Sequence, residues 1–288
     1  MKAKRSLFLF FVFIFIVSNV YSAQKKYYLK KLWSSERVFK TPESVWYDLK
    51  TDSLYISNIN GSPSKKDGNG FISKVSLNGK IIALRWAKGL NAPKGICTYK
   101  DKLFVTDIDR VAEISLNSGK IIKFYEVKKA LFLNDIAVDS SGSVYFSDTS
   151  GKNSCVYKLK EGKIEKWLKS DQVKNPNGLF YKNKILYVGS SGDKKIKKFE
   201  IGTKRFLGEI YVGSGIDGLI PFNGKGFITS DWRGKTLFVY PEGNILTLLD
   251  TCSQKINSAD LGFVFSKRLL IIPTFFDNRI IAYKLVDR

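Results

Sequence analysis

Residues 133–149 read LNDIAVDSSGSVYFSDT, and this stretch decides the fold. An apolar run (Ile136, Ala137, Val138) meets a tight turn from Asp139 to Gly142. A second apolar run follows (Val144, Tyr145, Phe146). Two short apolar runs flanking a Gly-containing turn spell a β-hairpin. Its ends are unusual: the first strand opens on Asn134–Asp135 and the second closes on Ser147–Asp148. Polar groups gathered at one end of a hairpin raise two questions: whether the unit repeats, and whether its ends converge.

It repeats. The opening pattern recurs at Pro42-Glu43, Pro93-Lys94, Leu133-Asn134, Pro176-Asn177, Ile216-Asp217 and Ala259-Asp260, and the second residues stand 51, 40, 43, 40 and 43 apart. A turn and a second strand follow each start (LYIS, LFVT, VYFS, LYVG, GFIT, LLII), then further strands such as VAEISL and GKIIKFYE. No segment keeps a helical period. Four strands per repeat of about 40–45 residues is the arithmetic of a β-propeller blade. The expected fold is all-β: a six-bladed propeller of four-stranded blades over residues 28–288, with blades starting near 43, 94, 134, 177, 217 and 260. A β-sandwich needs only about seven strands and leaves most of the pattern unused. The sixth repeat ends after its third strand. The segment SSERVFK (34–40) is expected to supply the missing outer strand, which would hide the sheet edges.

The N-terminus reads differently. Lys2, Lys4 and Arg5 precede an apolar run from Leu7 to Val17, and Val20-Tyr21-Ser22 offers a cleavage site before Ala23. Residues 1–22 are expected to be a signal peptide, and the protein to be exported, either periplasmic or secreted. The run is short for a span of roughly 20 residues, and no other segment suits a bilayer, so no membrane span is expected after cleavage. The formal net charge is +22, three of it from those first cations. The lysines are scattered singly or in pairs along every segment, which reads as a solvated surface and not as a specific nucleic-acid site. Cys97 and Cys155 lie in apolar strand patterns and read as core; pairing among Cys97, Cys155 and Cys252 stays open. There is no histidine. Ser-His-Asp triads, Cys-His dyads and histidine zinc motifs are thereby excluded.

In a propeller the first strands line the central channel and start at one face. Glu43, Lys94, Asn134, Asn177, Asp217 and Asp260 would then ring the channel mouth. The ends of the second strands (Asn58, Asp107, Asp148, Ser190, Asp231, Thr274) would form a wider circle. Oxygen donors alone suit one hard divalent cation, with Ca²⁺ the first choice and Mg²⁺, Mn²⁺ or Zn²⁺ the alternatives. Glu43 and Asp217 bring two negative charges; Asn134 and Asn177 bring neutral carbonyl oxygens. The competing reading is that Asn and Asp merely start strands after turns, with Gly178 and Gly218 present for backbone conformation.

The set PES-V at 42–45, ND at 134–135, PNGL at 176–179 and DGL at 217–219 resembles the regucalcin/gluconolactonase (senescence-marker-protein-like) family over the whole chain beyond the signal peptide. The resemblance implies a six-bladed propeller that holds one divalent cation and hydrolyses sugar lactones. It assigns metal ligation to Glu43, Asn177 and Asp217, and contact with metal and substrate to Asn134. Asp217 and Asn134 become the catalytic candidates. Asp217 would accept a proton from water, and Asn134 would orient the carbonyl. Phe132 stands where the family's sugar lactonases carry arginine, which puts a sugar lactone in doubt and leaves room for a less polar substrate; Lys94 reads either as a replacement cation or as a charge that simply offsets the ring's carboxylates. Asp148 and Asp231 are expected to orient ligands or substrate from the wider circle, or else only to cap strand ends. The Gly-rich loop NGSPSKKDGNG (60–70) reads either as a lid or as an inert insertion. The alternative function is a non-catalytic exported propeller that binds a small ligand or protein around a structural ion.

Overall fold

The computed structural model describes residues 26–151, 154–169 and 171–288. The expected signal peptide lies outside the described residues. Among them, twenty-four strands form six four-stranded antiparallel sheets, each built from consecutive strands except the last. These are the six expected blades. Blade 3, from the stretch quoted above, comprises Leu133–Val138, Val144–Asp148, Cys155–Lys160 and Lys163–Leu168. The first strands of blades 5 and 6 are short, Leu219–Pro221 and Gly262–Val264, and begin two residues past the expected starts. No helix among the described residues is long and apolar enough to cross a membrane.

The ring closes through the N-terminus, but with a different segment from the one expected. Tyr27–Ser34 pairs antiparallel with Ile280–Asp287 and forms the outer strand of blade 6. Residues 35–40 form no strand. The physical reason lies in two apolar residues. Tyr27 is buried and stacks on Phe238 at 4.4 Å with its edge to Phe222 at 5.8 Å. Phe39, which made SSERVFK look like a strand, is instead driven as a turn residue into the cluster of Val45, Ile56 and Ile271. Burial of an aromatic side chain does not require a ladder.

Apolar residues of adjacent blades interlock to form the core. Ile136, Val144 and Phe146 of blade 3 pack with Cys97 and Phe104 of blade 2. Cys97 and Cys155 are buried free thiols in this core, as expected, and Cys252 is also free.

Hydroxyl groups fix the level of each first strand against its neighbour. Thr106 Oγ1 donates to the carbonyl of Asn134, Thr149 Oγ1 to Pro176 (2.7 Å), Ser191 Oγ to Ile216 (2.9 Å) and Ser230 Oγ to Ala259 (2.7 Å). Each of these bonds crosses a blade boundary. Together they hold the strand starts at one height around the axis.

Candidate functional site

The starts of the first strands are bulged. In blades 1–4 the register slips between Pro42 and Val45, Pro93 and Ile96, Leu133 and Ile136, and Pro176 and Leu179. A bulge leaves a residue unpaired and re-aims its side chain. Glu43, Lys94, Asn134 and Asn177 occupy these slips. The next backbone N–H is caught by a hydroxyl of the neighbouring strand: Ser44 N by Ser57 Oγ (2.9 Å), Asp135 N by Ser147 Oγ (3.0 Å), Gly218 N by Ser230 Oγ (2.8 Å). The bulge is therefore built into the sequence, one hydroxyl residue before the end of the second strand.

Gly178 and Gly218 follow ring residues, but neither adopts a positive φ. Their role is space. A Cβ on Gly178 would lie 2.6 Å from the carbonyl oxygen of Asp217, and one on Gly218 would lie 2.5 Å from the nitrogen of Leu261. The neighbouring first strands approach so closely that only glycine fits.

The ring is buried: Glu43, Lys94, Asn134 and Asp217 are each less than a tenth exposed, while Asn177 and Asp260 are half-buried. Asn177 Nδ2 donates to Asp217 Oδ1 at 2.6 Å. Asp217 Oδ2 and Glu43 Oε2 are both buried without a hydrogen-bond partner. Ser44 Oγ donates to Asp260 Oδ2 at 2.5 Å, linking blades 1 and 6.

Electrostatics at the mouth are strained. Burial, and next the charge of Asp217, push the Glu43 carboxyl well above the ordinary carboxylate range; Lys94 pulls it partly back. Burial pushes Asp217 up to about 7 against the stabilising Asn177 amide. Burial also carries Asp135 to about 7, although its carboxylate accepts the N–H groups of Leu179 and Ile136. Asp260 is raised as well, by burial and then by its carboxylate neighbours. Lys94 is brought down to about 8 by burial, with Glu43 and Asp107 opposing. Four buried carboxyl groups thus raise one another or are raised by burial, and only Glu43 is offset by Lys94. Unpaired buried carboxylate oxygens cost several kcal/mol unless compensated, and a hard cation held by Glu43, Asp217 and the Asn177 amide would supply that compensation. The residues present fit such an ion. Among the described residues no three Asp, Glu, Cys or His groups converge as a metal set, so the candidate set is two carboxylates completed by amides.

Lys94 and Phe132 meet, a contact the sequence did not specify. The ammonium lies 4.5 Å from the centroid of the Phe132 ring and donates to the carbonyls of Pro63 (3.0 Å) and Ala92 (3.2 Å). Pro63 belongs to the 60–70 loop, which also reaches blade 2 through Lys66–Asp109 (2.5 Å) and Gly68 N to Asn91 Oδ1 (3.1 Å). The loop is therefore fastened to a ring residue.

Asp148 and Asp231 do not join the ring. Asp148 is fully buried and accepts the N–H groups of Leu131 and Phe132, both at 3.2 Å. Asp231 accepts from Gly215 N, Arg233 and Ser214; burial raises it, but the Arg233 and Ser214 hydrogen bonds prevail and hold it at about 2. Both carboxylates pin the backbone that leads into their own blade's first strand. These contacts are of the strand-end capping kind, and the backbone they hold leads to the ring.

Two features were not assigned from sequence. Asp135 ties blade 3 to blade 4 through Leu179 N and, with Asp260, walls a cavity of about 230 Å³ in the channel beyond the ring, lined also by Trp46, Ile136, Phe180 and Phe263. Its signal was the ND pair itself, in which only the asparagine was given a role. The second is an aromatic group, Trp232, Phe275 and Phe276, directly after the second strands of blades 5 and 6. Two successive blades with an aromatic residue one or two places past the strand end was the available signal.

No protein-family model matches the chain, and no curated protein matches it. Solved structures do. The chain is similar to a gluconolactonase of Xanthomonas campestris, described as important in glucose secondary metabolic pathways, with 14% identity over 86% of this chain and 87% of that one and a TM-score of 0.65. The fold is the one gluconolactonase propellers have. It is similar also to the chain in a nidogen/laminin complex (15% identity, 77% and 84% covered, TM-score 0.66). A third likeness is to a catalytically inactive histidine-to-alanine variant of virginiamycin B lyase from Staphylococcus aureus (15% identity, 91% and 100% covered, TM-score 0.60). At these identities the likeness carries the fold, and the fold serves several functions.

Proposed function

We propose that this protein is an exported hydrolase of lactone or ester bonds that uses one divalent cation, Ca²⁺ as first choice, at the propeller's channel mouth. The observation that carries the reading is the pair of buried, partnerless carboxylate oxygens on Glu43 and Asp217, with the Asn177 amide against the second. Export rests on the basic-then-apolar N-terminus of the sequence.

Glu43, Asp217 and Asn177 would hold the ion. When bound, a divalent cation polarises an ester carbonyl and lowers the pKa of water. Asp217, raised by burial to about 7 without the ion, would take the proton that water gives up as it attacks and return it to the alkoxide released when the acyl C–O bond breaks. Asn134, held at the mouth by the bond from Thr106 to its carbonyl, would orient the substrate carbonyl through its side-chain amide. Lys94 places a buried positive charge beside the same space, and Phe132 gives its wall an apolar face. Hydrolysis is favoured over lyase chemistry of the virginiamycin B type, because that lyase is described as inactive when a histidine is replaced and this chain has no histidine.

The test is turnover by the purified protein, without residues 1–22, of a panel of aldonolactones and aliphatic lactones, with and without chelator. Chelator-sensitive turnover abolished by Asp217→Ala supports the reading. A tightly bound ion with no turnover of any lactone or ester overturns it, in favour of a binding platform with a structural ion.

A further inference from the structure

The face of the propeller that carries the ring also carries exposed aromatic surface. Trp232 follows Asp231, at the end of blade 5's second strand, and Phe275–Phe276 follow Thr274 at the equivalent place in blade 6. Second strands end beside the starts of first strands: Asp217 N donates to Ser230 O, and Ala259 N to Pro273 O. The three rings therefore stand at the channel mouth's face.

They contact one another edge to face, at 5.4 Å (Trp232–Phe275), 5.9 Å (Trp232–Phe276) and 4.8 Å (Phe275–Phe276). Phe275 is buried, whereas Trp232 is 40% and Phe276 64% exposed. The group is firmly anchored. Phe275 sits in a buried cluster with Ile59, Ala92, Ile108 and Ala259, and Ala92 and Ala259 stand two and one residues before the ring residues Lys94 and Asp260. The carbonyl of Trp232 accepts Asn257 Nδ2 at 2.9 Å and Ser258 N at 3.4 Å, both in the segment leading to Asp260. Phe275 has φ +49°, a left-handed conformation that a bulky residue rarely adopts. Such strain persists where the surroundings enforce it, and it tends to gather at functional sites.

Blade 3 lies opposite blade 6 in a six-fold ring, so the segment carrying Phe132, half-buried, and Leu131, 59% exposed, stands across the mouth from this group. Exposed rings that pack on each other, fixed beside a buried polar centre, form an apolar surface of the kind that marks ligand sites. A sugar meets such a surface only with the C–H groups of one face, whereas an alkyl or aryl group buries its whole surface against it.

We propose that the substrate of this site carries an apolar side group next to its scissile lactone or ester, and that Trp232 and Phe276 form the surface on which that group lies, opposite Phe132. The inference rests on the hydrolase reading above and adds the substrate class.

The experiment compares kcat/KM for a short lactone, γ-butyrolactone, with that for an analogue bearing an octyl chain, in the wild-type chain and in Trp232→Ala, Phe276→Ala and the double variant. Wild-type protein should prefer the octyl lactone by roughly a hundredfold, and each substitution should cut that ratio by about tenfold, mainly through KM. Tyr211→Ala, which removes an exposed aromatic from an outer strand of blade 4, should leave the ratio unchanged. No preference for the octyl lactone, or a preference untouched by the double variant, overturns the inference while leaving the hydrolase reading intact. If no lactone is turned over, the hydrolase reading falls, and binding of the octyl-bearing lactam, followed by Trp fluorescence, decides the inference alone. Binding that weakens tenfold or more in the double variant supports it; no binding, or binding unchanged in that variant, overturns it.

Discussion

Asn177 donates its amide to Asp217 Oδ1 at 2.6 Å across the boundary of blades 4 and 5, and Asp217 Oδ2 is left buried without a partner. That contact joins the fold to the proposed chemistry. It brings together two residues 40 positions apart, one blade period, and leaves a buried acceptor without a hydrogen-bond partner. The predictions below follow from the charge held there and from the packing that holds it.

The first concerns pH. Without a cation, Asp135 and Asp217 both titrate near 7 in the folded protein, against an ordinary 3.8. Between those values the folded state holds protons that the unfolded chain has released. Stability is therefore largest at low pH within this window, falls as pH rises through it, and levels off above about 7. Chelator-treated protein should melt at a lower temperature at pH 8 than at pH 5, and added Ca²⁺ should raise the pH 8 value more than the pH 5 value. Equal melting temperatures at both pH values would count against a strained carboxylate site.

Lys94 partly balances the charge of Glu43 in the same ring, and its ammonium fastens Pro63 of the 60–70 loop. Lys94→Met should therefore act in two directions. Removing a unit charge beside a partly buried site is worth on the order of 1–3 kcal/mol, so cation affinity should rise tenfold or more. The loop, losing its bond to the ring, should become more sensitive to limited proteolysis near residue 65. Calorimetric titration and mass spectrometry of the digest read the two effects separately.

Gly178→Ala and Gly218→Ala test the close approach of first strands. The added methyl would lie 2.6 Å and 2.5 Å from backbone atoms of the next blade, which side-chain rotation cannot relieve. Each should destabilise the protein by about 1–3 kcal/mol, measured by urea unfolding, with Gly178→Ala also weakening cation binding because it displaces Asp217. Gly202→Ala, at an open position, is the control.

The closing strand makes a separate prediction. Tyr27 is 4% exposed and stacks on Phe238, so Tyr27→Ala should cost about 3–5 kcal/mol, as truncation of a buried aromatic does. Phe39→Ala should cost a similar amount although residue 39 lies in no strand. If only Tyr27 mattered, the reading of Phe39 as an anchor would be wrong.

The blades were legible in the sequence because each strand writes its period locally: Ile136-Ala137-Val138, the turn to Gly142, then Val144-Tyr145-Phe146. The closing strand was misplaced by several residues because an isolated Phe39 carries the same apolar signal in a turn as in a ladder, and its register depends on partners at 280–287 far along the chain. Glu43, Lys94, Asn134, Asn177, Asp217 and Asp260 could be placed at one level by repeat spacing alone. Their environment could not. That Asp148 would be consumed by three backbone N–H groups, that Lys94 would lie on the ring of Phe132, and that Asp135 would join blade 4 all depend on side-chain directions that the spacing does not give. The roles of Gly178 and Gly218 show the same limit: the sequence marked a special position, but the cause is a neighbouring strand and not the backbone angle.

The most direct measurement is metal content and titration of the purified protein, by elemental mass spectrometry and calorimetry, in the wild type and in Glu43→Gln and Asp217→Asn. One divalent ion per chain is expected for the wild type, with affinity reduced at least a hundredfold by either substitution while the melting temperature of the ion-free protein holds or rises. No bound divalent ion under any condition, or an ion whose affinity neither substitution changes, would contradict a cation centre at Glu43 and Asp217.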